Sequence, residues 1–192
     1  KRDGVGVFAD YIRREWPNLP CEEEGRLNDA RLRENFLQRV FNYDRWQTFR
    51  ENGPSVSGLM QFHATHKYLI LSHNQSASRD LGRLVAKATS ENLEASLDRY
   101  ETRMMEALSR PTSARKQINT LQHLIGFVKN QLSSAEKSEF LDLLESYRNG
   151  IIPLITPLTM LRHHLNKSDS DWARSQQYLS PYPAELGLRS HL

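Results

Sequence analysis

The chain has 192 residues, a single cysteine and 26 basic against 23 acidic side chains, for a net charge of +3. That length allows one domain with a real core, while the lone Cys21 excludes an internal disulfide and any multi-thiolate metal site. No window approaches the ~18 uncharged apolar residues of a membrane span. The opening KRDGVGVFADYI has no signal-like apolar run and does not begin with Met, so the expectation is a cytoplasmic chain that starts within a longer protein.

Helical periodicity runs through almost every segment, and no alternating run is bounded by hairpin turns, which predicts an all-α fold. Residues 6–16 form a short helix stopped by Pro17 and Pro20. Asn28 or Asp29 caps a second, with Leu32, Phe36, Val40, Tyr43 and Phe49 at helical spacing, ended by Gly53-Pro54. A third runs from about Ser57 to His73, and Asn74-Gln75 turns the chain into a fourth from about Ser78 to Ala88. Leu93, Leu97, Tyr100, Met104 and Leu108 mark a fifth that stops before Pro111, and a sixth spans about Ser113 to Leu132. The capping box Ser133-Ser-Ala-Glu136 opens a seventh, which ends at Gly150. Pro157 behind Thr156 opens an eighth through Leu165, and a last helix covers about Asp169 to Leu179. The expected architecture is a single compact bundle of about eight helices over 52–192, preceded at 1–51 by a helical remnant of an upstream domain.

Charge is unevenly distributed along this series. No Asp or Glu occurs in 52–79, 107–135 or 146–168, yet these segments hold nine basic residues and six of the seven histidines. Residues 1–51 instead balance ten acids against ten bases. If the three segments meet in space they make a field of one sign that suits a polyanion; they could equally be separate faces neutralised by the fold.

In FHATHKYLILSHN, residues 62–74, a helical wheel places His63, His66 and His73 in one arc with Leu59, Phe62, Leu69 and Ile70. These rings can be core groups satisfied by neighbours, or can order an inward polar groove with Lys67 at its rim. A shared metal is disfavoured, because His73 lies about 10 Å further along the axis and no carboxylate is at hand. On the sixth helix, Ile118, Leu121, Ile125, Val128 and Leu132 form a core stripe. Arg115, Asn119, His123, Gly126 and Asn130 form an opposite one that suits phosphate and base-edge contacts, or is a solvated face. Arg162, His163, His164 and Lys167 cluster near a helix C-terminus, where positive charge is also favourable in its own right. The candidate polyanion contacts are thus Lys67, Arg79, Arg115, Lys116, Asn119, His123, Lys129, Arg162, His163 and Lys167. A Gly-rich phosphate loop, a nucleophile elbow and a carboxylate pair near the histidines are all lacking, so no catalytic residue and no metal ligand is assigned. Two other functions fit the same residues: a small hydrolase or transferase using His63, His73 and His123, and a helical module whose groove takes a partner peptide.

FHATHKYLILSHN, LGRLVA at 81–86, SARKQINTLQHLIGFVK at 113–129, SYRNGIIPLITPL at 146–158 and QQYLSPYP at 176–183 together resemble the YbgA-like helical domain. The resemblance covers about 52–183 and carries the family positions onto His63, Lys67, His73, Arg115, Asn119, His123 and Gly126. Upstream, GVFADYIRREWPNLPCEEEGRLNDARLRENF resembles the tail of the iron-sulfur desulfidase domain to which YbgA-like domains are fused, with Cys21 where valine is usual. The resemblance implies a protein that removes sulfur from 4-thiouridine in tRNA. In it the helical half binds the tRNA, and a desulfidase domain in cis holds a four-iron four-sulfur cluster that this chain, without the cluster cysteines, does not carry.

Overall fold

A computed structural model of the chain describes residues 6–168 and 170–191. Among these there are nine helices and no strand. They are α1 (Val7–Glu15), α2 (Ala30–Glu51), α3 (Val56–His73), α4 (Gln75–Ala86), α5 (Leu93–Leu108), α6 (Ala114–Ile125), α7 (Ser134–Arg148), α8 (Ile155–Asn166) and α9 (Asp171–Arg174). The all-α expectation holds. Residues 1–5, part of the opening KRDGVGVFADYI, lie outside the described residues, as does Asp169, where the last helix was expected to begin.

Side chains set most helix starts. Asp29 accepts the N–H groups of Arg31 and Leu32 at 2.8 and 3.0 Å and begins α2. Asn74 accepts from Ala77 and begins α4 one residue after α3 ends, so the turn between them is shorter than expected. Ser133 and Glu136 form the capping box of α7. Gly53 and Gly150, both at φ of 70°, turn the chain after α2 and α7, where a side chain would be strained.

α3 runs through the middle, with α4, α5 and α6 packed on it, and α6, α7 and α8 pack on one another. Leu59, Leu69 and Ile70 of α3 are fully buried with Leu97, Tyr100 and Met104 of α5, Leu121 of α6 and Leu158 and Leu161 of α8. α2, placed by sequence in a separate N-terminal remnant, contributes to this same core. Its Trp46 is fully buried, stacks on Tyr100 at 5.0 Å and 14°, and meets Phe62 edge-on at 5.0 Å.

Three further helices differ from their expected spans. α6 stops at Ile125 rather than near Leu132, because the next N–H groups bond three residues back, Phe127 to Leu124 and Val128 to Ile125. This tightening keeps Val128 and Leu132 buried and turns Phe127 outward to 45 % exposure. α8 begins at Ile155, two residues before Pro157, which the first turn accommodates since its N–H groups have no helical partner. α9 lasts only four residues, because the Gln177 N–H bonds the α3 carbonyl of Thr65 at 2.9 Å instead of continuing a helix, while the Gln176 side chain donates to the neighbouring Ala64 carbonyl at 3.0 Å.

The C-terminal tail after α9 is held by a buried carboxylate. Glu34 of α2 accepts from Gln38 at 2.7 Å, Tyr182 at 3.0 Å and Arg189 at 3.2 Å. Replacing Glu34 by Ala leaves the Arg189 guanidinium buried without its partner, and is expected to lower the unfolding free energy in urea by about 3–5 kcal/mol. Glu34→Gln, which keeps an acceptor, loses less; an unchanged urea midpoint for Glu34→Ala would show that the tail is held by other contacts.

Candidate nucleic-acid interface

The histidines of the inward arc of α3 are hydrogen-bonded to neighbours, with His66 and His73 buried and His63 partly so. His66 stacks on Phe62, one turn back, at 3.8 Å and 6°, and its Nδ1 lies 2.7 Å from the Phe62 carbonyl. His63 pairs through Nδ1 with the Tyr100 hydroxyl at 3.0 Å, beneath Gly82, where an added Cβ would come within 3.5 Å of its ring. His73 lies between the Arg110 carbonyl and Gln38 at 2.9 and 3.1 Å. Burial lowers the pKa of His63 and His73 to about 4 and that of His66 to about 3, with nearby Lys67 acting in the same direction on His63. All three are therefore neutral at pH 7, and His73 borders a cavity.

Lys67 has a different setting. Its Nζ stands 4.5 Å from the ring centre of Trp172 and 5.2 Å from that of Tyr68. Phe127 packs edge-on against Trp172 at 4.9 Å and against Tyr68 at 6.2 Å, and His123 lies 6.3 Å from Tyr68. Partial burial lowers the Lys67 pKa from its ordinary 10.5. α3, α6 with the turn after it, and α9 thus converge on a half-open aromatic cluster bearing one cation. Sequence reasoning passed over Phe127 and Trp172. The available signal was aromatic residues inside, and just beyond, segments free of acids.

The remaining candidates divide. Arg115, Asn119 and His123 lie along one face of α6 leading to the cluster, with Arg115 and His123 exposed and Asn119 half-buried. Arg79 on α4, Lys129 after α6, and His163 and Lys167 at the end of α8 are exposed. Two bases have structural employment. Lys116 donates to the His73 carbonyl at 2.7 Å, and Arg162 donates to the Leu179 carbonyl and to Ser180 Oγ, which turns it toward the tail. His164 is buried beside His163.

A family model described as "Protein of unknown function (DUF1722)" matches residues 67–183. The chain belongs to the DUF1722 family. That span includes Lys67, Tyr68, His123, Phe127 and Trp172, so the whole aromatic cluster lies within the DUF1722 segment. The chain is also 29 % identical over 164 residues to "Uncharacterized protein YbgA" of Escherichia coli (strain K12), which covers 85 % of this chain and 97 % of that protein. The match is longer than the segment 52–192, so the YbgA-like part of this DUF1722 chain extends into residues 1–51. No solved structure matches.

The neutral histidines give this DUF1722 fold a defined acid response. In the unfolded chain the rings take up protons below the ordinary 6.5, whereas the folded rings stay neutral down to about 4 or 3. Their contribution to stability is therefore complete above 6.5 and lost as pH falls from 6.5 toward 4. Urea unfolding at about pH 7, 6 and 5 is expected to show a steadily falling free energy, and His66→Gln to reduce that slope by about one proton. A flat profile would mean that the rings take up protons in the fold as they do in the unfolded chain, and a free energy that rises as pH falls would mean that they are charged in the fold.

Proposed function

We propose that this chain is a cytoplasmic tRNA-binding module of a protein that removes sulfur from 4-thiouridine in tRNA. The observation that carries the RNA-binding part is the Lys67–Trp172–Phe127–Tyr68 cluster at the end of the Arg115–Asn119–His123 face. A half-exposed cluster of edge-packed aromatic rings with a cation over it offers base stacking and a phosphate contact side by side, and the adjoining helix face adds donors without a carboxylate of its own. The identity of the RNA and of the chemistry comes from the YbgA-like resemblance. Sulfur removal belongs to the desulfidase domain expected in cis, and no residue of this chain is given a catalytic role. The four-iron four-sulfur cluster does not fit here: the chain has one cysteine, and among the described residues no group of three His, Cys, Asp or Glu converges. Likewise, no described helix is long and apolar enough to cross a membrane.

Fluorescence anisotropy with bulk tRNA across a salt series tests this reading. Binding is expected to weaken steeply with salt, as phosphate counterions are displaced. Trp172→Ala with Phe127→Ala is expected to cost about 1–3 kcal/mol per stacked base, and Lys67→Ala with Arg115→Ala to flatten the salt slope. Arg13→Ala with Arg14→Ala, which removes the same charge from exposed α1, serves as the control and should bind as the parent does. Equal loss in both charge variants, or no binding at low salt, would overturn the assignment.

A further inference from the structure

A second polar site lies at the opposite end of α6. A cavity of about 250 Å³ opens between α2, the first turn of α6, the end of α7 and the tail, outside the aromatic cluster. Its lining combines buried amides with cations. Gln117, 2 % exposed, has its Oε1 held by the Tyr178 hydroxyl at 2.7 Å, which leaves Nε2 without a protein partner. Asn35, 6 % exposed, spends Nδ2 on the Leu108 carbonyl at 3.0 Å and leaves Oδ1 likewise unpaired. A donor and an acceptor, each fixed by the bond its amide already makes, are thus presented in one small space.

The start of α6 adds to this. Ser113 caps the helix without a side-chain hydrogen bond, and the first turn carries no acid, so the N–H groups of residues 114–116 await an acceptor at the positive end of a twelve-residue helix. Charge in the walls is cationic. Glu34 is already neutralised by Arg189 and hydrogen-bonded to Gln38 and Tyr182, while Arg31 and Arg148 remain at the mouth. Arg148 also touches exposed Glu145, a surface pair worth little and easily exchanged.

We propose that this cavity binds a phosphomonoester. The phosphate is received by the first turn of α6 with Arg31 and Arg148, and Gln117 Nε2 and Asn35 Oδ1 hold the polar group that carries it. The volume admits a ligand no larger than a mononucleotide. Two sources share this chemistry, a free small phosphomonoester and the phosphorylated end of an RNA strand.

Titration of the ¹⁵N-labelled full chain followed by NMR tests the proposal, with uridine 5′-monophosphate and uridine as probes. The monophosphate is expected to shift the amide signals of the first turn of α6 and to bind about tenfold or more tighter than uridine. Arg31→Ala with Arg148→Ala, both exposed, should lose about tenfold or more of that affinity without a change in melting temperature. Gln117→Glu, which puts a carboxylate at the floor, should abolish binding; its melting curve reports whether it remains folded, and the arginine variant decides if it does not. A short RNA with a 5′-phosphate that competes with the mononucleotide, where its 5′-hydroxyl form does not, identifies the strand end as the source. Mononucleotide binding that neither RNA displaces identifies a free metabolite. Absence of shifts at millimolar monophosphate, or unchanged affinity in the double arginine variant, would overturn the site. Trp172→Ala with Phe127→Ala should leave mononucleotide binding intact, so failure here is separable from failure of the tRNA reading.

Discussion

Burying the Glu34 carboxylate imposes a demand that the rest of the molecule is arranged to meet. A charge withdrawn from water needs compensating donors, and Glu34 Oε1 takes three, from Gln38, Tyr182 and Arg189. Each donor has an onward connection. Gln38 contacts His73 on α3, while Arg189 bonds the Tyr178 carbonyl at 2.8 Å and Tyr178 in turn bonds Gln117 on α6. One anion therefore joins α2, α3, α6 and the tail. The cavity at the start of α6 has a defined floor because these side chains have no freedom left.

What the sequence made legible was local. Asp29 as a cap, the Ser133–Glu136 box, Gly150 as a stop and the apolar stripe of α6 all follow from residues within one or two turns of each other, and all are found. The misjudged end of α9 has a non-local cause. α9 stops early because a carbonyl more than a hundred residues upstream, that of Thr65, accepts from the Gln177 N–H. The histidines of α3 were ambiguous for the same reason, since the Tyr100 hydroxyl, the Arg110 carbonyl and Gln38 are each at least 35 residues from the ring they meet. The wheel correctly turned the rings inward but could not say what they would find there.

The same reasoning applies to the candidate sites. Acid-free segments pointed to α6 and Lys67, and the polar face of α6 does lead to the aromatic cluster. Counting bases gave no way to tell exposed Arg115 from its neighbour Lys116, whose ammonium closes the end of α3, or from Arg162, which holds the tail. The cavity had no signature at all, being assembled from α2, α6, α7 and the last residues of the chain. α6 connects the two sites, which lie about 18 Å apart along its axis at 1.5 Å per residue.

The pairing of Glu34 with Arg189 spans 155 residues and so governs the order in which the protein can assemble. Synthesis delivers Glu34 well before its two tail partners, Tyr182 and Arg189. Until the tail docks, the carboxylate has Gln38 as its protein donor and otherwise relies on water. The bundle of α3 to α8 can form first from contacts much closer in sequence, and docking of the tail is then the step that closes the longest loop. A nascent or truncated chain ending before residue 189 would thus hold a formed aromatic cluster while its cavity was still open to solvent.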